Sequence, residues 1–451
     1  MSYVGLSREE EQRMLRDIGV ARFDELVEAV PADARLQRLL KILGPASEIE
    51  LRRMMGGWAA SNVAERVPSF MGGGLYDHYV PAAVNAIAGR SEFATAYTPY
   101  QPEVAQGTLT VIFEFQSMIA ELTGADVANA SMYDGATALA EAALLARTQT
   151  GRARVVVAGA VHPNYLAVLR TYLDGKGLTI VADKGGQCAA EDLQTATGND
   201  AACVIYQHPN FFGLLESPRT IHRIAHAGGA LAIAVCDPIA LALLDPPGAA
   251  ADGDPGADIV VGEAQSLGNA PSFGGPLLGY FACKHALVRR MPGRLAARTV
   301  DVQGRPGFVL TLQTREQHIR REKATSNICT NQGLLATRAT IYLALLGKRG
   351  LTEVAELCVR KTHACAERAA AIPGYRRAHE GAFFREFALE CPVDAAVVCA
   401  RGRERGVLPG VDLGQFRPEW RRLLLVAATE QRSAEDIDRW GEVLRSAGGA
   451  R

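Results

Sequence analysis

Three short stretches carry residue types that could do chemistry at the ends of predicted strands. Asp134-Gly135-Ala136-Thr137 stands at the start of a predicted helix, where small residues leave backbone N–H groups available to an anion such as phosphate. Asp237 directly follows the apolar run 231–236, and a carboxylate there could hold the protonated nitrogen of a heteroaromatic ring. His162 follows the apolar run 155–157, and its imidazole could stack on such a ring. Together the three predict a pocket for a flat, phosphorylated cofactor.

Each of these residues also has an ordinary structural interpretation. Asp134 could be the N-cap of its helix. Asp237 could start the turn Asp237-Pro238, and His162 could be a loop histidine with a backbone partner. No single one of them decides between a cofactor pocket and a purely structural role.

The elements that would position these residues alternate between strand and helix. Pro163 and Pro218 each stand at the favoured first position of a helix. The apolar runs of strand length are 155–157, 202–206, 231–236, 259–261 and 279–283. This alternation predicts an α/β fold with a mostly parallel sheet and helices on both faces. Parallel strands bring the residues at their carboxyl ends to one edge of the sheet.

Two further regions flank the predicted sheet domain. Residues 1–65 read as an N-terminal helical arm, because Ser7 with Glu10 and Ser47 with Glu50 form capping boxes that open helices. Residues 66–346 form the predicted large α/β domain. Residues 347–451 form a predicted smaller C-terminal α/β domain.

Residues 66–106 are rich in glycine and tyrosine and lack helix or strand periodicity. Long irregular segments in a compact protein are often binding loops. We predict that the polar residues of this loop reach the active site of a partner subunit, the alternative being a packed interface loop that buries the tyrosine hydroxyls. These residues are Tyr97, Thr98, Tyr100, Gln101 and Glu103.

Composition excludes several classes of function. The net charge is −1, so nothing in it indicates binding to nucleic acid or to a membrane surface. The longest apolar runs have strand length, and the N-terminus has no basic and apolar export signal. The nine cysteines occur singly with no CxxC spacing, which predicts no metal site and fits a reducing cytoplasm.

Longer motifs identify a family. Asn129 to Ala138 reads NASMYDGATA, Pro209 to Gly213 reads PNFFG, and Ser272 to Pro276 reads SFGGP. Tyr97 to Glu103 reads YTPYQPE, and Thr314 to Thr330 reads TREQHIRREKATSNICT. Over nearly the whole chain these runs resemble the amino-terminal half of the glycine decarboxylase P-protein, which is a separate α subunit in many bacteria.

The order of the three pocket features also resembles the fold-type-I pyridoxal-phosphate enzymes, and this resemblance makes one absence informative. In that fold the lysine that binds the cofactor follows the strand after the aspartate strand. Here the run 259–261 is followed by Gln265 and Ser266, and no lysine occurs before Lys284. Without an amine the pocket cannot bind the cofactor covalently, so it is predicted to be degenerate.

The resemblance implies a function as well as a fold. It implies the α subunit of glycine dehydrogenase (aminomethyl-transferring, decarboxylating), part of the glycine cleavage system. With a lysine-bearing β subunit, expected as α2β2, it would decarboxylate glycine and transfer the aminomethyl group to the lipoyl arm of H-protein. Pyridoxal phosphate is expected on the β subunit and not covalently on this chain. The motif residues expected near the interface are Arg321, Lys323, Thr325, Ser326 and Asn327.

Two other interpretations remain open from the sequence. One is a self-sufficient pyridoxal-phosphate enzyme anchored by Lys323 or Lys284, against which the Gln265-Ser266 pair argues. The other is a nucleotide-binding or scaffold module, which the glycines would suit, although no GxGxxG follows the first strand.

Overall fold

A computed structural model describes residues 5–36, 38, 40–63, 66–184, 186–324, 326, 328 and 330–448. The helices are α1 (Arg8–Ile18), α2 (Phe23–Leu26), α3 (Glu48–Ser61), α4 (Ala82–Ala88), α5 (Gln106–Thr123), α6 (Gly135–Thr150), α7 (Pro163–Tyr172), α8 (Ala190–Thr197), α9 (Pro218–Ala227), α10 (Gln317–Arg320), α11 (Gly333–Ala370), α12 (Ala395–Glu404) and α13 (Ala434–Ala447). Within the described part of the chain, no helix has both the length and the apolar character needed to cross a bilayer.

The strands are β1 (Val127–Ala128), β2 (Arg154–Ala158), β3 (Leu178–Val181), β4 (Asp183–Lys184), β5 (Gln187–Cys188), β6 (Ala201–His208), β7 (Leu231–Cys236), β8 (Ile259–Glu263), β9 (Gly279–Cys283), β10 (Leu295–Val300), β11 (Pro306–Thr311), β12 (Arg376–Arg377), β13 (Glu386–Glu390), β14 (Val411–Asp412) and β15 (Leu423–Ala427). The five strands predicted from apolar runs all occur, and β7 and β9 have the predicted bounds.

Residue contacts divide the chain into two compact units, Met1–Glu65 and Arg66–Arg451. The first unit contains α1, α2 and α3. In α1 and α3 the predicted capping boxes are formed, because the Ser7 and Ser47 side chains each accept a backbone N–H while Glu10 and Glu50 bond back. The division does not separate a C-terminal unit near residue 347, so that boundary stays a prediction.

The centre of the second unit is a seven-stranded sheet in the order β1-β9-β8-β7-β6-β2-β3. Strands β8, β7, β6, β2 and β3 run parallel, whereas β9 is antiparallel to both of its neighbours. In β2, Val155 and Val157 join the core on one face and Val156 joins the core on the other. Burial on both faces explains why these strands are continuously apolar, and the predicted α/β class is confirmed.

A smaller antiparallel sheet, in the order β12-β13-β15-β14, lies near the C-terminus. Its core contains the buried Trp440, whose ring stacks on Phe70 at 5.5 Å between centroids. The Phe70 carbonyl accepts a hydrogen bond from the backbone of Ala427 at 2.9 Å. The chain around Phe70, which the sequence analysis assigned to the large domain, therefore packs on the C-terminal sheet. This packing leads the next residues towards the carboxyl edge of the large sheet.

Candidate functional site

The carboxyl edge of the parallel strands brings the predicted pocket residues together. Strand β7 ends beside Asp237, β8 ends at Glu263, and His162 follows β2. We call the cavity at this edge the edge pocket. Its walls include Gly74, Tyr76, His162, Tyr165, Gln207, Asp237, Glu263, Arg385 and Glu386. Only about 50 Å³ remains open inside it, which is room for a few water molecules.

The predicted phosphate position is filled by a side chain of the protein. The Gly135 N–H at the start of α6 donates to Glu263 Oε2 at 3.0 Å. Glu263 Oε1 accepts from the backbone of Gln265 at 2.9 Å and of Leu278 at 2.8 Å. Burial raises the pKa of the Glu263 carboxyl to about 7 although these bonds oppose it. A carboxylate thus takes the place that an anion would occupy at the helix N-terminus.

Asp134 has the structural role that the sequence analysis weighed against phosphate binding. Its carboxylate caps α6 by accepting the Thr137 N–H at 2.7 Å. Glycine is required next to it, because a Cβ on Gly135 would lie 2.2 Å from the Tyr165 hydroxyl oxygen. The motif therefore packs the start of α6 closely against the chain's own side chains.

The carboxylate that could hold a ring nitrogen is paired inside the protein. Asp237 Oδ2 lies 2.5 Å from Arg385 Nη2, and both side chains are largely buried. The guanidinium of Arg385 lies over the ring of Tyr76 at 3.5 Å from its centroid, and its other nitrogen contacts His78 Nε2. Burial alone would lower the pKa of Arg385, but Asp237 and the other acidic groups around the guanidinium together outweigh burial and raise it. The pair occupies the space where a cofactor ring would contact Asp237.

His162 stacks on a protein ring. Its imidazole lies 5.2 Å from the Tyr165 ring at an angle of 26°. The Asn164 N–H donates to Nδ1, so Nε2 carries the hydrogen and donates to the carbonyl of Gly73 at 2.6 Å. Burial lowers the pKa of this histidine, which favours the same neutral form.

The backbone of residues 72–76, which we call the strap, fills the remaining space. Gly73 N–H donates to Glu386 Oε2 at 2.6 Å, and the Tyr76 hydroxyl donates to Glu386 Oε1 at 3.0 Å. The Gln265 side chain holds the backbone of Tyr76: its Oε1 accepts the Tyr76 N–H and its Nε2 donates to the Tyr76 carbonyl, each at 3.2 Å. A Cβ at Gly72 would lie 2.2 Å from Glu386 Oε2, so the strap needs glycine there. Ser266 is buried nearby, and its hydroxyl has no partner among the described residues.

These contacts test whether pyridoxal phosphate fits the edge pocket, and it does not. The anion position holds Glu263, the ring carboxylate Asp237 is paired with Arg385, and the strap occupies the cavity. No lysine lies between β8 and β9.

The structure also places the two lysines considered as anchors. Lys284 Nζ lies 2.7 Å from Asp258 Oδ1, and Asp258 precedes β8. Lys284 is therefore at the amino edge of the sheet, opposite the edge pocket. Lys323 is exposed in the short turn Arg321–Lys323. The amino-edge position argues against Lys284 as an anchor in the edge pocket.

A second group of predicted residues lies in a surface loop before α5. Tyr97 is 92% exposed, Tyr100 is about half exposed, and Gln101 and Glu103 are also exposed. Thr98 is partly buried, and its carbonyl accepts the Tyr100 N–H at 2.9 Å. The irregular structure predicted for residues 66–106 holds for residues 94–101, which contain no helix or strand, but it is wrong for Ala82–Ala88, which form α4.

Sequence analysis missed Arg294, which lies at the base of this loop. Its buried guanidinium donates to the Tyr100 hydroxyl at 3.3 Å and to Asn331 Oδ1 at 3.3 Å, and its Nε lies 3.9 Å from Glu316 Oε2. Arg294 is one of several arginines in an apolar stretch, so its sequence context does not distinguish it. Glu263 was also missed, although a carboxylate at the carboxyl end of a strand was a usable signal.

The motif 314–330 contains Glu316, which lies 3.9 Å from Arg294. Arg321 and Lys323 are exposed, Ser326 is partly buried, and Thr325 and Asn327 lie outside the described residues. Burial raises the pKa of Glu141 on α6 to about 7, and a hydrogen bond with Ser326 opposes this shift.

One buried group in the described part of the chain resembles a metal site in composition. It contains His78, Cys358 and Glu430. His78 Nδ1 lies 2.7 Å from Glu430 Oε2, and Arg385 contacts its other ring nitrogen. Since both ring nitrogens are engaged by protein groups, we interpret the cluster as a hydrogen-bonded support for Arg385.

Comparison with known proteins matches the chain to one family. The family model described as glycine cleavage system P-protein matches residues 1–444. A curated relative from Moorella thermoacetica, named probable glycine dehydrogenase (decarboxylating) subunit 1, is 49% identical over 440 residues, covering 97% of this chain and 98% of the relative.

Solved structures agree with this match. An inhibitor-bound crystal structure of glycine decarboxylase (P-protein) of the glycine cleavage system has a TM-score of 0.89 at 44% identity, covering 99% of this chain and 100% of that one. A sphingosine-1-phosphate lyase from Burkholderia pseudomallei has a TM-score of 0.66 at 15% identity, covering 92% of this chain and 93% of that one, and it shows the fold alone. The predicted fold-type-I architecture is confirmed.

Proposed function

The chain belongs to the P-protein family of the glycine cleavage system, and we propose from this that it is the α subunit of glycine dehydrogenase (decarboxylating), an oxidoreductase. In the proposed reaction the assembled enzyme takes glycine, releases carbon dioxide and passes the aminomethyl group to the lipoyl arm of H-protein. Pyridoxal phosphate supplies an electron sink in reactions of this kind.

We propose that the cofactor binds the lysine-bearing β subunit of an α2β2 enzyme and not this chain. The observation that carries this proposal is the filled edge pocket, in which Glu263, the Asp237–Arg385 pair and the strap leave no place for it. Without a lysine after β8, the chain alone also lacks an amine there to hold it.

The test is to assay each subunit alone and both together, with pyridoxal phosphate, carboxyl-labelled glycine and lipoylated H-protein. We expect no release of labelled carbon dioxide and no visible absorbance of a lysine-bound cofactor from this chain alone. Turnover should appear when the β subunit is added. Substantial turnover by this chain alone would refute the proposal.

The loop 97–103 is proposed to reach the active site of the β subunit. Its support is composition and exposure, because Tyr97, Tyr100 and Glu103 are polar residues on the surface that the fold of this chain does not need to bury. Phe273, in another family motif, is 99% exposed with a backbone φ of 60°. A bulky residue in this left-handed region is strained, and such strain concentrates at functional sites.

The helical arm is proposed as a clasp on the partner. Among the described residues, sixteen large hydrophobic side chains between residues 6 and 63 are exposed. The much longer remainder of the chain has the same number. Exposed apolar surface of this density is typical of an interaction site. We also propose a cytoplasmic location, because the eight cysteines among the described residues are all free and seven of them are buried.

A further inference from the structure

Arg294 lies where three segments of the chain meet. Tyr100 comes from the loop before α5, Glu316 from the segment before α10, and Asn331 from the segment before α11. The backbone carbonyl of Arg294 accepts the Ala130 N–H at 2.9 Å, which joins the turn before α6 to the same point. One buried side chain and its backbone therefore connect segments that are up to 231 residues apart in the sequence, from Tyr100 to Asn331.

Hydrogen bonds between the segment before α11 and the turn before α6 hold the surroundings of Arg294 in place. Asn331 Nδ2 donates to the carbonyl of Ala130 and to Ser131 Oγ, both at 3.3 Å, and Gln332 N–H donates to Ser131 Oγ at 3.0 Å. Ser131 is fully buried and has φ of 138°, a conformation that non-glycine residues rarely adopt. Strain of this kind persists only where neighbouring contacts determine the conformation.

On the side of Arg294 that faces the Tyr100 loop, the hydrogen-bonding groups do not all have partners among the described residues. Glu316 is buried, and its Oε1 has no hydrogen-bond partner among the described residues. Its Oε2 lies 3.9 Å from Arg294 Nε and 3.5 Å from His318 Nδ1. The His318 ring meets the Tyr100 ring edge-on at 5.6 Å. An apolar core would stabilise the fold as well as a buried ion pair does, so folding alone does not explain this arrangement.

We propose that Arg294 is a positioning residue that holds the Tyr100 hydroxyl and the Glu316–His318 segment in one arrangement for the subunit interface. The inference rests on the proposed function of the loop 97–103 and deepens it. Arg294 acts through Tyr100 and Glu316 and does not itself have to touch substrate.

The first test measures positioning without using activity. The chain has seven lysines, and Lys323 is the only one between Lys284 and Lys348. Digestion of the full chain with a lysine-specific protease, followed by mass spectrometry, reports how fast the segment 317–324 opens at Lys323. We expect Arg294→Gln to accelerate this cleavage about ten-fold or more, which corresponds to the loss of one charged hydrogen-bond set. Arg294→Lys should give a smaller increase.

Two further variants make this test decisive. Arg298→Gln removes an exposed arginine from β10, the strand that Arg294 directly precedes, and should leave the rate unchanged. If Arg294→Gln does not fold, Glu316→Gln keeps the shape of the side chain, weakens the ion pair, and should accelerate cleavage as well. Unchanged cleavage in both Arg294→Gln and Glu316→Gln would overturn the proposal.

The second test is a double-variant cycle on kcat of the assembled enzyme. Tyr100→Phe should lower kcat about ten- to a hundred-fold, and Arg294→Gln should lower it by a similar factor. In the double variant the second change should add little, because both remove the same contact. Two independent factors that multiply would overturn the role of Arg294. If Tyr100→Phe has no effect, the proposed function of the loop fails, while the cleavage test still decides the positioning role.

Discussion

The Asp237–Arg385 pair offers a direct test of the filled edge pocket. Asp237→Asn keeps the size of the side chain and removes its charge, which leaves Arg385 buried without the carboxylate that lies 2.5 Å away. Breaking a buried pair by removing one partner destabilises a protein by about 3–5 kcal/mol. Glu386 is the next carboxyl, but burial raises its pKa to about 7, so it offsets the lost charge only in part at neutral pH.

The assay is urea unfolding of the purified chain, compared with Arg219→Gln as a control. Arg219 is about half exposed and pairs with Asp252 at 3.1 Å, so its loss should change the free energy of unfolding by about 0–1 kcal/mol. Adding Arg385→Met to Asp237→Asn should recover part of the lost stability, since the uncompensated charge is then gone. If Asp237→Asn alone changes the free energy of unfolding by less than about 1 kcal/mol, the reasoning about this pair is wrong.

Three further predictions concern other parts of the chain. Gln265→Lys should not create a visible absorbance with pyridoxal phosphate, because Glu263, Arg385 and the strap still fill the pocket; spectra with and without cofactor decide this, and a lysine-bound band would contradict it. Glu141→Gln should reduce the fall in the free energy of unfolding between about pH 5.5 and 8. Burial raises the pKa of Glu141 in the folded chain to about 7, above its unfolded value. The protonated Glu141 therefore stabilises the fold at low pH, and this contribution, on the order of 2 kcal/mol, is lost as pH rises through about 7. The exposed Glu121→Gln is the control for the denaturation curves at the two pH values, and equal pH dependence of Glu141→Gln and the parent chain would count against this account. Removing residues 1–63 should prevent co-elution with the β subunit in size-exclusion chromatography, whereas an intact complex would show that the arm is not the clasp.

Strands of the large sheet and helices of the N-terminal unit could be predicted because their signals are local. β7 and β9 are apolar runs bounded by turn residues, and α1 and α3 begin at capping boxes that lie within four residues. The order of Asp134, His162 and Asp237 along the chain was enough to place all three at one edge, since parallel strands impose that edge.

The contents of the pocket could not be predicted in the same way. The strap reaches Glu386 across more than three hundred residues, and Arg385 reaches Asp237 across about one hundred and fifty. No local periodicity records such contacts. Arg294 was missed for the same reason. Only the fold reveals that this buried arginine, which directly precedes β10, contacts the hydroxyl of Tyr100.

The filled pocket also restricts how this chain could change in evolution. A lysine gained after β8 by one mutation would still face the carboxylate of Glu263 at the anion position, the paired Asp237, and the glycine backbone beneath Glu386. Each of these obstacles lies on a different segment and is held by its own contacts. A lineage carrying only one or two of the changes gains no cofactor for selection to favour, and it loses stability with each charge that it leaves unpaired. On the proposed function, the arrangement therefore makes this chain depend on its partner subunit for the cofactor.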